Sequence, residues 1–142
     1  MSWTRSSVVA SLPSLIQTRL TSPVIMATRE SDGRQQPLTV TSFHTADSPR
    51  EPYALWSMAG VEPVSSFGED SDLVSYNMEI GIYGRWGMPS LAKQVRQRLQ
   101  RWRDLSIGIL DCYWESEDWD YDASTRMERV DLDFLIWYRE EE

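Results

Sequence analysis

A chain of 142 residues carrying a net charge of −8 has the size of one ordinary domain, able to bury roughly 70% of the surface its unfolded form exposes. The acidity excludes a protein that grips nucleic acid over a broad surface, which needs a basic footprint, and the single cysteine, Cys112, excludes an internal disulfide. Seven tryptophans stand beside one lysine, so the basic character is almost wholly arginine. Trp and Arg are the residues most enriched at the centres of protein interfaces, although tryptophans equally fill cores.

The first apolar segment runs from Val8 to Leu20 and is interrupted by Ser11, Pro13, Ser14, Gln17 and Arg19. It is too polar for a membrane span and a poor match to a signal peptide. The expectation is a soluble protein made in a cytoplasm, with no membrane partner. Val8, Val9, Leu12, Leu15, Ile16 and Leu20 follow roughly helical spacing. Pro13 lacks a donor and clashes with the preceding turn, so the helix either breaks there or starts there, capped by Leu12 or Ser11.

Residues 21–52 are rich in Ser, Thr, Pro and charge. Val24-Ile25-Met26 and Leu38-Thr39-Val40 are candidate short strands around the Asp32-Gly33 turn signal. An excursion of this length is expected as an extended arm or loop insertion, ordered against a neighbouring subunit.

The pattern sharpens from Tyr53. Tyr53 to Val64 reads as a strand with Ala54, Trp56 and Met58 on one face. A polar loop, Ser65 to Asp72, precedes a second strand in which Val74, Tyr76, Met78, Ile80, Ile82 and Trp86 alternate with polar positions. These two strands form a hairpin. Ser90 is then the expected cap of a helix over 90–103, with Leu91, Val95, Leu99 and Trp102 on its apolar face. Lys93, Arg96, Arg98, Arg101 and Arg103 occupy its other faces.

The last part reads as a long hairpin, Ile107 to Tyr121 and Thr125 to Arg139. Facing the apolar sets across the ladder pairs Trp114 with Leu132, Cys112 with Phe134 and Leu110 with Ile136. The same register sets Glu117 opposite Arg129 and Asp120 opposite Arg126, opposite charges worth up to ~1 kcal/mol each. The fold class is therefore α+β, a single domain. An antiparallel β-β-α-β-β sheet spans 53–139 and packs against helices, preceded by an N-terminal helical region, 1–20. Val74, Tyr76, Met78, Ile80, Ile82, Leu91, Val95, Leu99, Leu132, Phe134 and Ile136 are the expected core.

Chemistry is sparse. His44 lies in a polar loop near Asp47 without a nucleophile-elbow pattern, and Cys112 sits on a core face, where a thiol behaves as a small hydrophobe. No phosphate loop, zinc spacing or nucleotide fingerprint occurs, and no cofactor is expected. Asp118, Asp120 and Asp122 match the first three ligand positions of an EF-hand calcium loop, but Ala123 replaces the glycine and Arg129 the closing carboxylate. On a strand these carboxylates lie about 7 Å apart, too far for one ion, so no metal is expected. The run Glu115, Glu117, Asp118, Asp120 and Asp122 is then either a solvated hairpin tip or the lining of a channel. A ring of subunits presenting it to a bore repels DNA phosphates and lets the duplex slide. The basic helix is a solvated face or the partner of a neighbour's acidic surface.

The strand opening at Pro52-Tyr53, the alternating strand 74–86, the helix 90–103 and the hairpin ending Val130-Asp-Leu-Asp-Phe-Leu-Ile-Trp-Tyr-Arg139 resemble the tail-terminator, or tail-completion, family of long-tailed bacteriophages. The resemblance covers about three fifths of the chain and implies a non-enzymatic virion protein of the neck. Such a subunit forms a homohexameric ring that caps the tail tube protein and docks the head-tail connector or stopper protein. DNA passes without specific binding, and assembly takes place in the host cytoplasm. Arg96, Arg98, Arg101, Arg103, Trp86, Trp119 and Trp137, with Trp3, become candidates for the subunit interface. Three alternatives remain: another neck ring such as a stopper or head-completion protein, a small metal-dependent hydrolase, and a monomeric host-side binding or inhibitor module. A hydrolase would need a second acidic or histidine cluster, which the chain lacks.

Overall fold

A computed structural model of the chain describes residues 12–42, 50–63 and 73–139. Trp3, the part of the expected helical region before Leu12, His44, Asp47 and the expected loop Ser65 to Asp72 lie outside the described residues.

Helix α1 spans Leu12–Thr21 and holds Pro13 in its first turn, where no helical donor is lost. Leu12, Ile16 and Leu20, spaced by four, face the core. Residues 24–42, expected as an arm or insertion, belong instead to the body of the domain. Strands β1 (Met26–Thr28) and β2 (Gln35–Pro37) form an antiparallel hairpin around Asp32-Gly33. Ile25, Ala27, Leu38 and Val40 are buried in the common core, so burying apolar surface against the chain itself holds this segment.

Strand β3 (Thr39–Ser42) pairs in parallel with β4 (Tyr53–Pro63), so the sheet is mixed rather than antiparallel. Strands β5 (Leu73–Gly84), β6 (Ile109–Asp122) and β7 (Met127–Arg139) complete it in the order β3-β4-β5-β7-β6. The expected hairpin of β4 and β5 forms, with Ala54 opposite Ile82 and Trp56 opposite Ile80. Their inward positions alternate as the sequence pattern predicts.

Helix α2 runs Met88–Leu99, starting two residues before the expected Ser90 cap and ending before Trp102. Gly87 caps it in the left-handed region at φ 69, and a Cβ there would meet the Thr28 carbonyl oxygen at 3.2 Å. Glycine supplies both the turn and the close approach to β1. Leu91, Val95 and Leu99 are fully buried. Two side chains tie the helices down: Gln17 donates to the Val40 carbonyl (2.8 Å) and accepts from the Trp56 indole (2.8 Å), while Gln94 donates to the Met26 carbonyl (2.9 Å).

The last hairpin forms in a different register from the expected one. Trp114 faces Phe134, Cys112 faces Ile136, and Asp120 rather than Glu117 faces Arg129. Irregularities between Ile109 and Asp111 and between Trp114 and Ser116 each insert a residue into β6, changing the pairing that an unbroken alternation implies. Leu110 therefore leaves the core face to Ile109 and Cys112.

Candidate functional site

Both helices pack on one face of the sheet, and no described element covers the other. Three adjacent cross-strand rows compose the acidic part of that uncovered face, which continues through Asn77, Leu135 and Tyr113 and then Ser75, Trp137 and Asp111. Tyr53, Tyr83, Arg129 and Asp120 make the first; Leu55, Gly81, Asp131 and Asp118 the second; Ser57, Glu79, Asp133 and Ser116 the third. Tyr53 stacks on Tyr83 at 4.8 Å and Arg129 lies over Tyr83 at 5.2 Å. Gly81 leaves room for this: a Cβ there would meet the Tyr83 ring at 3.1 Å and Asp131 Oδ1 at 3.2 Å. Arg129 Nε reaches Asp131 at 2.9 Å, and the Ser116 hydroxyl donates to Asp133 at 2.6 Å. Asp118 stands directly opposite Asp131, a like-charge pair that is unfavourable in an isolated sheet.

The acidic residues singled out in the sequence are thus divided. Asp118 and Asp120 lie on the uncovered face and Glu115 beside it, next to Glu79, Ser116 and Asp133. Glu117 turns to the helical side and meets Arg96 at 3.5 Å. Asp122 closes the hairpin turn, accepting from the Ser124 hydroxyl (2.7 Å) and amide (2.9 Å), bonds that hold its carboxyl below the usual range. Sequence reasoning missed Glu79, Asp131 and Asp133. Their outward positions on alternating strands were the available signal, but only the register brings them to Asp118.

The candidate arginines are divided as well. Arg101 and Arg103 extend past α2 to the buried Asp111, at 3.2 and 3.0 Å. Burial raises the Asp111 pKa; hydrogen bonds from Arg103 and the Cys112 amide, with the Arg101 charge, outweigh it and hold the carboxyl below its ordinary value. Arg96 lies over the Trp114 ring at 4.5 Å. Arg98 and Arg19 each donate to the other's backbone carbonyl (3.1 and 2.7 Å), with Arg19 5.4 Å over Trp102. Lys93 is exposed.

Of the candidate tryptophans, Trp86 is half-buried under Arg29 (5.6 Å) and Trp137 half-buried edge-on to Tyr113 (6.1 Å). Trp119 is 45% exposed on the helical side of β6, next to Tyr121 at 56%. Strand β6 is an edge of the sheet. Its outer backbone is engaged at its start, where the Arg101 amide donates to the Cys112 carbonyl and Asp104 exchanges bonds with Ile109.

Among the described residues no group of three or more His, Cys, Asp or Glu is placed to hold a metal ion, and no described helix is long and apolar enough to cross a membrane.

Residues 18–139 match the family model described as Tail completion protein gp17. No curated protein matches the chain. Among solved structures, a chain in the virion of a native gene transfer agent particle superposes with a TM-score of 0.61, covering 95% of this chain and all of that one at 14% identity. That likeness is one of fold.

Proposed function

The chain belongs to the Tail completion protein gp17 family and is a structural protein of the phage tail, and from that premise we propose that it closes into a ring, six copies in number, that caps the tail tube and joins it to the head connector. The observation that supports this reading is the separation of charge over one small domain: an acidic uncovered sheet face and a basic helical side. Identical copies bearing two unlike, complementary surfaces associate head to tail, the arrangement that generates rings.

In this reading the tip of the last hairpin, with Asp120 and Asp122 at its end, faces the bore, where carboxylates repel the phosphates of passing DNA, while Glu115 and Asp118, farther from the tip, stay with Glu79, Asp131 and Asp133 on the sheet face. The ring works by self-association and electrostatic exclusion, without covalent chemistry. Trp119 is an exposed aromatic anchor at the subunit boundary.

Native mass measurement of the chain alone and mixed with tail tubes tests the proposal. The expected result is a ring at the tube tip, visible in electron micrographs labelled against the protein. A chain that stays monomeric in the presence of tubes and leaves their growth unaffected refutes it.

A further inference from the structure

The two charged surfaces lie on opposite sides of the same layered domain, and each is only partly neutralised within it. On the sheet face Glu79, Asp131 and Asp133 occupy central strands; the ion pairs made on that face among the described residues are those of Arg129 with Asp131 and, at the start of β6, of Arg101 and Arg103 with Asp111, which leaves Glu79 and Asp133 without one. On the helical side, no ion pair among the described residues reaches Arg19, Lys93 or Arg98. Stacking two copies sheet to sheet brings carboxylates against carboxylates, and stacking them helix to helix brings cations together; both like-charged arrangements are penalised. Only sheet against helices is attractive.

We propose that the uncovered sheet face of one copy receives the helical face of the next, setting Glu79, Asp131 and Asp133 against Arg19, Lys93 and Arg98. The inference rests on the ring reading and specifies which surfaces close the ring. The sheet, covered by helices on one face within its own chain, gains a second helical layer from its neighbour, the arrangement in which a sheet is buried on both faces.

The test is charge reversal with exchange. One variant carries Asp131→Lys and Asp133→Lys, the other Lys93→Glu and Arg98→Glu. Each alone presents two like-charged faces to itself, so tube capping falls at least about tenfold. Mixed in equal amounts, the variants alternate around an even-numbered ring, and capping returns to within about twofold of wild type. Circular dichroism and thermal unfolding establish that each variant folds. Should a reversed chain fail to fold, Asp131→Asn with Asp133→Asn and Lys93→Gln with Arg98→Gln give the same reading: partial loss in each. A mixture no better than its parts, or two variants that cap normally alone, overturns the inference. So does a loss confined to the sheet variant while the helix variant caps normally, which assigns that face to the tube protein. Wild-type chain that builds no ring on tubes overturns the ring reading itself.

Discussion

The guanidinium of Arg96 on α2 stands 4.5 Å from the centre of the Trp114 ring on β6. Glu117, three residues further along the strand, holds the same group at 3.5 Å. A cation over an indole is worth roughly 0.5–2 kcal/mol according to its desolvation, and a partly exposed ion pair adds at most about 1 kcal/mol. These contacts fasten α2 to the edge strand beside its irregularity. Arg96→Ala is expected to lower unfolding stability by about 1–2 kcal/mol in a urea titration. Arg96→Lys should recover less than half, since an ammonium lacks the planar stack. An unchanged midpoint for Arg96→Ala would remove this account.

Asp111 anchors the segment that leaves α2. Asp111→Asn leaves Arg101 and Arg103 without their shared carboxylate and should cost about 2 kcal/mol at neutral pH. Because the folded-state pKa is depressed, the carboxylate's contribution is present above the unfolded value near ~3.9 and is lost as pH falls through the lower folded value. The gap between wild type and variant should therefore hold from pH 7 to about 5 and close on further acidification. Stability curves that converge already at pH 6 contradict this.

Cys112 is fully buried on the core face, and burial, with the nearby Asp111 charge, pushes its thiol up to about 12. The thiolate is the nucleophile, so the folded protein should resist alkylation by iodoacetamide at pH 8 and react on unfolding. A raised acid pKa favours the protonated fold, so the stability that the protonated thiol contributes is fully present below an ordinary thiol pKa of ~8.5 and is lost as pH rises through the folded value. Prompt stoichiometric labelling of native protein would refute the placement.

Gly81→Ala should push the Tyr83 ring off its seat and loosen its stack on Tyr53, at a cost of about 1–2 kcal/mol. Gly81→Ala combined with Tyr83→Ala should cost less than the sum of the two single changes, because the clash disappears with the ring. Additivity in thermal unfolding would show that the ring is not what the methyl group meets.

Much of the helical face and central sheet was readable from spacing. Ala54 and Trp56, then Met78, Ile80 and Ile82, alternate without interruption, and Leu91, Val95 and Leu99 keep a four-residue step. The candidate strand Leu38-Thr39-Val40 overlaps β3, but Gln35–Pro37 and not this segment pairs with β1 around the turn, and the parallel pairing of β3 was not legible. The strand's four residues contain one buried side chain, Val40, and its parallel partner lies across an intervening segment. The start of α2 was hidden because Gly87 caps through a left-handed backbone rather than through a side chain. The pairing of β6 was lost for a related reason: alternation assumes one residue per step, and two extra residues break the count. For the acidic surface, the run at the end of β6 announces itself in composition. Asp131 and Asp133 are ordinary wet positions until the ladder sets Asp131 opposite Asp118.

The extra residue between Trp114 and Ser116 also governs how this hairpin tolerates changes in length. Beyond it, Ser116, Asp118 and Asp120 share one side with Asp133, Asp131 and Arg129, while Glu117, Trp119 and Tyr121 share the other. Removing or adding one residue in this stretch would exchange the sides for everything distal to it, turning indole and phenol toward the carboxylates. Viable changes in the reach of the hairpin should therefore come in even steps on each strand.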